Sequence, residues 1–115
     1  MRYALLICDE DKRQAEMSEE EATAQMAAYA VFGEEMGARG VLQGGERLRP
    51  TASATTVRVR DGEVLTTDGP FAETKEQMGG FYLVECNDLD EAIEVASKIP
   101  SAQHGSIEVR PIWDM

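Results

Sequence analysis

Two apolar runs in this chain are each followed, a short polar interval later, by the same helix-starting signature. Residues 2 to 8 set Tyr3, Leu5 and Ile7 against Ala4, Leu6 and Cys8, so both faces of the run are apolar, as in a central strand. Ser18 then stands three residues before Glu21, the spacing at which each side chain satisfies a free backbone N–H of the other. Phe81-Tyr82-Leu83-Val84-Glu85-Cys86 is a second strand-like run, and Asp88 with Glu91 repeats the capping pattern. A strand leading into a capped helix near the beginning, and again near the end, restricts the chain to folds built on two such units.

The first helix runs from Ser18 towards Gly37 or Gly40, with an expected buried stripe of Ala22, Met26, Tyr29, Gly33 and Met36. The second starts at Leu89, buries Leu89, Ala92, Ile93, Ala96 and Ile99, and stops before Pro100. Between them, residues 40 to 48 read as a weaker strand whose Gly44-Gly45 pair suggests a bulge or a close backbone approach. Residues 55 to 67 read as a hairpin, because Asp61-Gly62 suits a type I′ turn and sets Arg60 opposite Glu63 and Val59 opposite Val64. Gly105 leads into a last strand, Ser106 to Arg110. The order describes one α+β domain over residues 1–115: a ferredoxin-like antiparallel sheet with two helices on one face and an inserted hairpin before its third core strand. The uncovered face needs another layer, and a second copy of the chain is its simplest source, so a homodimer is expected.

Composition removes several classes of function. With 22 acidic and 11 basic residues the net charge is −11, and no Lys/Arg-rich stretch interrupts it, so nucleic acid and anionic membranes are not expected partners. The opening apolar run turns acidic at Asp9, too early for a signal peptide or a span, and the expectation is a cytoplasmic protein. Cys8 and Cys86 have no CxxC or Cys/His neighbours and read as free thiols at the ends of strands. With a single histidine, His104, and no EF-hand-like spacing, neither a metal nor another cofactor is expected.

The densest polar segment is Thr67 to Gly80, where charged groups crowd between turn residues. Its core, Asp68-Gly69-Pro70-Phe71-Ala72-Glu73-Thr74-Lys75-Glu76, resembles the signature of the DGPF branch of the YCII-related proteins. The resemblance extends in order through Met1-Arg2-Tyr3, Gly44-Gly45-Glu46, Thr56-Val57-Arg58, Gly79-Gly80-Phe81-Tyr82 and Glu108-Val109-Arg110-Pro111, covering nearly the whole chain. It implies the dimeric α+β barrel, two sheets packed face to face with pockets near the dimer interface. Some relatives are thought to use a His and Asp pair with the His on the first helix. Here the helix from Ser18 to Met36 has no histidine, so that dyad does not transfer.

Asp68 is the candidate general base and His104 its proton-exchanging partner, because histidine as a residue type changes charge near neutral pH. Phe71, Glu73 and Lys75 are candidate substrate contacts in the signature loop, and Arg110 on the last strand suits a bidentate clamp on a carboxylate. Each also has a structural reading. Asp68 is a common turn-former, His104 can simply pack, the loop charges can pair with one another, and Arg110 can bridge to Glu46 or Glu108. Two functions follow: a cofactor-independent lyase or isomerase acting on a small organic acid, or a binding or regulatory protein. The second rests on the association of DGPF proteins with extracytoplasmic-function sigma factors, which the resemblance implies as a partner.

Overall fold

A computed structural model describes residues 1–114. Strand β1 (Arg2–Asp9) is followed by a one-turn helix α1 (Asp11–Ala15), the long helix α2 (Glu19–Ala38), β2 (Leu42–Arg47), a hairpin of β3 (Thr55–Arg60) and β4 (Glu63–Asp68), β5 (Gln77–Glu85), α3 (Leu89–Ser97) and β6 (Ser106–Pro111). Four strands form one sheet in the order β2-β5-β1-β6, antiparallel throughout, and β3-β4 form a separate two-stranded sheet. This is the expected ferredoxin-like α+β fold. Two one-turn 3-10 segments, Thr51–Ser53 and Pro100–Gln103, complete the connections.

The caps form where the spacing places them. Ser18 accepts from the Glu21 backbone N–H at 3.0 Å while the Glu21 carboxylate accepts from the Ser18 N–H at 3.2 Å. Asp88 accepts from the Glu91 N–H at 2.9 Å, but Glu91 reaches back to the Asn87 N–H at 2.7 Å, one residue before the cap. In α2, Gly40 at φ +73° supplies the left-handed residue just beyond the helix end.

The core lies between the helices and one face of the sheet, where Tyr3, Leu5 and Ile7 of β1 meet Val84 of β5, Phe32 and Met36 of α2, and Val95 and Ile99 from α3 and its end. The buried stripe of α2 differs from the expected one. Phe32 and Met36 are the buried residues and Tyr29 is half-buried, whereas Met26 and Ala22 are exposed. The Phe32 ring packs on Tyr82 with centroids 5.0 Å apart, which turns the Phe32 side of the helix to the sheet, and the exposed residues of its N-terminal half, Ala22 and Met26, lie outside that contact. In α3 the buried set is Ala92, Val95, Ala96 and Ile99, while Leu89 and Ile93 are exposed.

The opposite sheet face carries Ala4 beside Leu83, Leu6 beside Phe81, and Glu108 and Arg110 on β6. Among the described residues no element forms a layer over it. Gly45 and Gly80 join β2 to β5 by close backbone approach: a Cβ on Gly45 would stand 2.6 Å from the Phe81 carbonyl oxygen, and one on Gly80 2.8 Å from that of Glu46. The hairpin pairs as expected, Arg60 with Glu63 and Val59 with Val64, around Asp61 and Gly62 at φ +51° and +78°. The chain is a slab 48 × 43 × 18 Å with a radius of gyration of 16.0 Å, against about 13 Å for a compact chain of this length. Among the described residues no helix is long and apolar enough to cross a membrane.

Candidate functional site

The chemistry gathers at the C-terminal end of β1. Asp9 continues the inward parity of Tyr3, Leu5 and Ile7 and is only 7% exposed, an expensive place for a carboxylate unless it is fully partnered. Its partners come from α1, which starts two residues later. Arg13 forms an ion pair with it, the Gln14 amide donates at 3.2 Å, and the Glu10 backbone N–H donates at 2.8 Å. Burial alone would raise the Asp9 carboxyl, but the Arg13 guanidinium, the Glu10 N–H and the Gln14 amide together hold it below the usual aspartate range. Asp9 is thereby a fixed anion that sets the direction of Arg13.

Three further segments meet this end of the sheet. Asp11 accepts from the Thr51 hydroxyl and, at 3.2 Å, from the Thr51 backbone N–H, tying α1 to the segment before the hairpin. Lys75 reaches Glu10 at 3.3 Å, and Glu76 accepts from the Ser106 hydroxyl at 2.7 Å, so the signature loop bridges the end of β1 and the start of β6. Gly105 lies directly on β1: a Cβ there would stand 2.1 Å from the Cys8 carbonyl oxygen. Only glycine allows the His104 loop to come this close. A register shift between Ile7 and Cys8 opposite β5 marks the same place, and such bulges commonly re-aim side chains beside sites.

His104 caps the 3-10 turn, with its N–H on the Ser101 carbonyl at 3.2 Å, and its side chain is exposed. It lines an open groove of about 600 Å³ together with Arg13, Val31, Phe32, Lys98 and Ser101. The Tyr29 and Ser101 hydroxyls are hydrogen-bonded at 2.6 Å near its floor. The groove therefore combines apolar side chains, the single histidine, Arg13 and two carboxylates, Glu21 and Glu35, the second of which is ion-paired with Lys98 at 3.0 Å.

Asp68 is exposed at the end of β4, paired across the ladder with Thr55. Among the described residues no hydrogen bond reaches its carboxylate, and Gly69 donates instead to the Ala54 carbonyl at 2.8 Å. No hydrogen bond or ion pair joins Asp68 to His104 within the chain, and Asp68 does not line the groove. Phe71 is 82% exposed. Glu73 is also exposed, and Lys75 is held by Glu10. Arg110 pairs with Glu108 on the open sheet face, at the level of Ala4, about 13 Å along β1 from Cys8. The structure thus brings Lys75 and His104 to one end of the sheet, with Arg110 at the other.

Sequence reasoning missed Asp9, Arg13 and Asp11. The readable signal was the parity of β1: an aspartate at the next inward position, with an arginine four residues on, is a buried carboxylate with a ready partner. Both thiols are free, Cys86 buried and Cys8 half-buried. Burial pushes the Cys8 thiol up, as do Glu108 and Glu76. Among the described residues no group of three or more His, Cys, Asp or Glu side chains is placed to hold a metal ion.

The chain matches the family model of the YCII-related domain over residues 1–115. It is also 40% identical, over 114 residues, to an uncharacterised protein of Rhizobium meliloti (strain 1021), a match spanning 97% of this chain and 92% of that protein.

Proposed function

We propose, for a chain that belongs to the YCII-related family, an enzyme that moves protons on a small organic acid, by lyase- or isomerase-type chemistry carried by its own side chains. The observation that carries this reading is the groove shared by His104 and Arg13, with Arg13 oriented by the buried Asp9. A guanidinium fixed from behind by a carboxylate is preorganised to receive a substrate carboxylate at its free edge. His104, exposed on the same groove, exchanges the proton. Lys98 on the same groove is paired with Glu35 and Glu94, which leaves Arg13 as the cation for the acid, and the apolar side chains of Val31 and Phe32 take the carbon skeleton. Lys75, Glu73, Phe71 and Asp68 belong to the loops flanking this end, and Arg110 to the open sheet face.

A homodimer of the α+β barrel type is part of the proposal. The open face of Ala4, Leu6, Phe81 and Leu83 is the surface a second sheet would cover. Leu6→Lys should make the wild-type dimer monomeric in sedimentation equilibrium, and an unchanged mass would remove this interface.

The enzymatic reading is tested by incubating the protein in D2O with small 2-oxo and 2-hydroxy acids and following deuterium incorporation by NMR. His104→Gln should abolish incorporation without altering the circular dichroism spectrum; full incorporation in that variant would reject the assignment of His104. The exposed Phe71 supports a second reading, in which the signature loop is a recognition surface for a protein partner of the sigma-factor type. Capture of such a partner by wild type but not by Phe71→Ala, with no turnover of any acid, is its distinguishing result.

A further inference from the structure

The β3-β4 hairpin is built inside out for a lone chain. Residues directly opposite one another in an antiparallel ladder share a face, so the pairing places Val57, Val59 and Val64 on one face and Arg58, Arg60, Glu63 and Leu65 on the other. The valine face lies in solvent, at 59, 58 and 68% exposure; on the other face Thr56 and Arg58 are half-buried, and what is exposed there is mainly charged, Arg60 and Glu63, with Leu65 at 44%. An isolated two-stranded ribbon is marginal in water, and among the described residues this one pairs with no strand of the main sheet.

The surface area says what covers it. One copy exposes 8047 Å², where a compact chain of its mass exposes about 6,200 Å². The excess, about 1,800 Å², matches what each partner buries in a large, permanent homodimer interface. The open sheet face does not hold most of that excess, because Ala4, Leu6, Cys8, Phe81 and Leu83 are already half-buried. The hairpin contributes to it, with Val57, Val59, Val64 and Leu65 all exposed.

We infer that the hairpin is a clasp whose valine face packs on a second copy of this chain. Asp68 is on that face, opposite Thr55, so the docked hairpin carries the Asp68 carboxylate into the contact between copies. The signature loop leaves the hairpin at Gly69 and reaches the His104 end of the sheet through Lys75 and Glu76, so docking also braces that loop. The inference requires a second copy but not the acid–base reading of the groove.

The test is sedimentation equilibrium across the micromolar range on wild type, on Val59→Lys/Val64→Glu, and on Leu65→Glu as the control on the opposite face. Val59 faces Val64 and Leu65 faces Arg58 across the ladder, so each variant places opposite charges together and keeps the hairpin, which circular dichroism checks. The double variant leaves the net charge unchanged, so general repulsion between copies cannot cause a loss of association. The clasp predicts a dissociation constant raised at least about tenfold in the double variant, with Leu65→Glu close to wild type. Equal association of wild type and double variant would overturn the clasp while leaving the sheet-to-sheet dimer standing. A monomeric wild type would overturn both.

Discussion

At the scale of single residues, the site depends on Asp9 and Gly105. Asp9→Asn leaves the Arg13 guanidinium without its counter-charge at a nearly buried position. A loss of about 1–3 kcal/mol is expected from the urea midpoint. The same pair sets an acid limb. The folded Asp9 carboxyl titrates below its unfolded value, so its contribution is present above about pH 4 and is lost as pH falls through the lower, folded value. Denaturation midpoints measured downward from neutral pH should therefore fall more steeply in wild type than in Asp9→Asn. Gly105→Ala forces a Cβ against the Cys8 carbonyl, which is backbone and cannot swing aside. The expected loss is about 1–3 kcal/mol, and His104 should be displaced with it. A Gly105→Ala protein of unchanged stability would contradict the close approach. Cys8 and Cys86, both with thiols pushed up by burial, should react with iodoacetamide at neutral pH more slowly than a free cysteine peptide.

At the scale of elements, caps and turns were legible and faces were not. Ser18-Glu21, Asp88-Glu91 and Asp61-Gly62 act through local backbone geometry, so their residues alone locate them, and the hairpin register followed from its turn. Asp88→Ala should accordingly cost about 1 kcal/mol of stability by thermal or urea unfolding. The stripes of α2 and α3 depend on what lies beneath each helix. The Phe32 ring against Tyr82 overrode the spacing that favoured Met26 and Gly33, and Val95 took the place expected for Ile93. Helix α1 escaped notice because four polar residues and a single alanine leave no apolar period to read. Arg13 went with it. The signature loop was found as a segment, but its pairings, Lys75 with Glu10 and Glu76 with Ser106, join residues far apart in sequence and carry no local signal.

At the scale of the whole molecule, a slab 18 Å thick is two layers, helices on one face of a sheet. The two uncovered apolar surfaces, the sheet face and the hairpin valines, lie outside the groove that holds His104, so assembly and chemistry can be tested separately. The fold brings His104, Arg13 and Lys98 to one groove, and whether that groove receives a small acid is the question on which the functional account turns. The most direct measurement is an NMR titration of the single histidine with small carboxylic acids, in wild type and in Arg13→Gln. The account predicts that the His104 ring signals shift saturably in wild type and lose that response in Arg13→Gln. Signals that stay still with every acid, or that respond equally in both proteins, would contradict it.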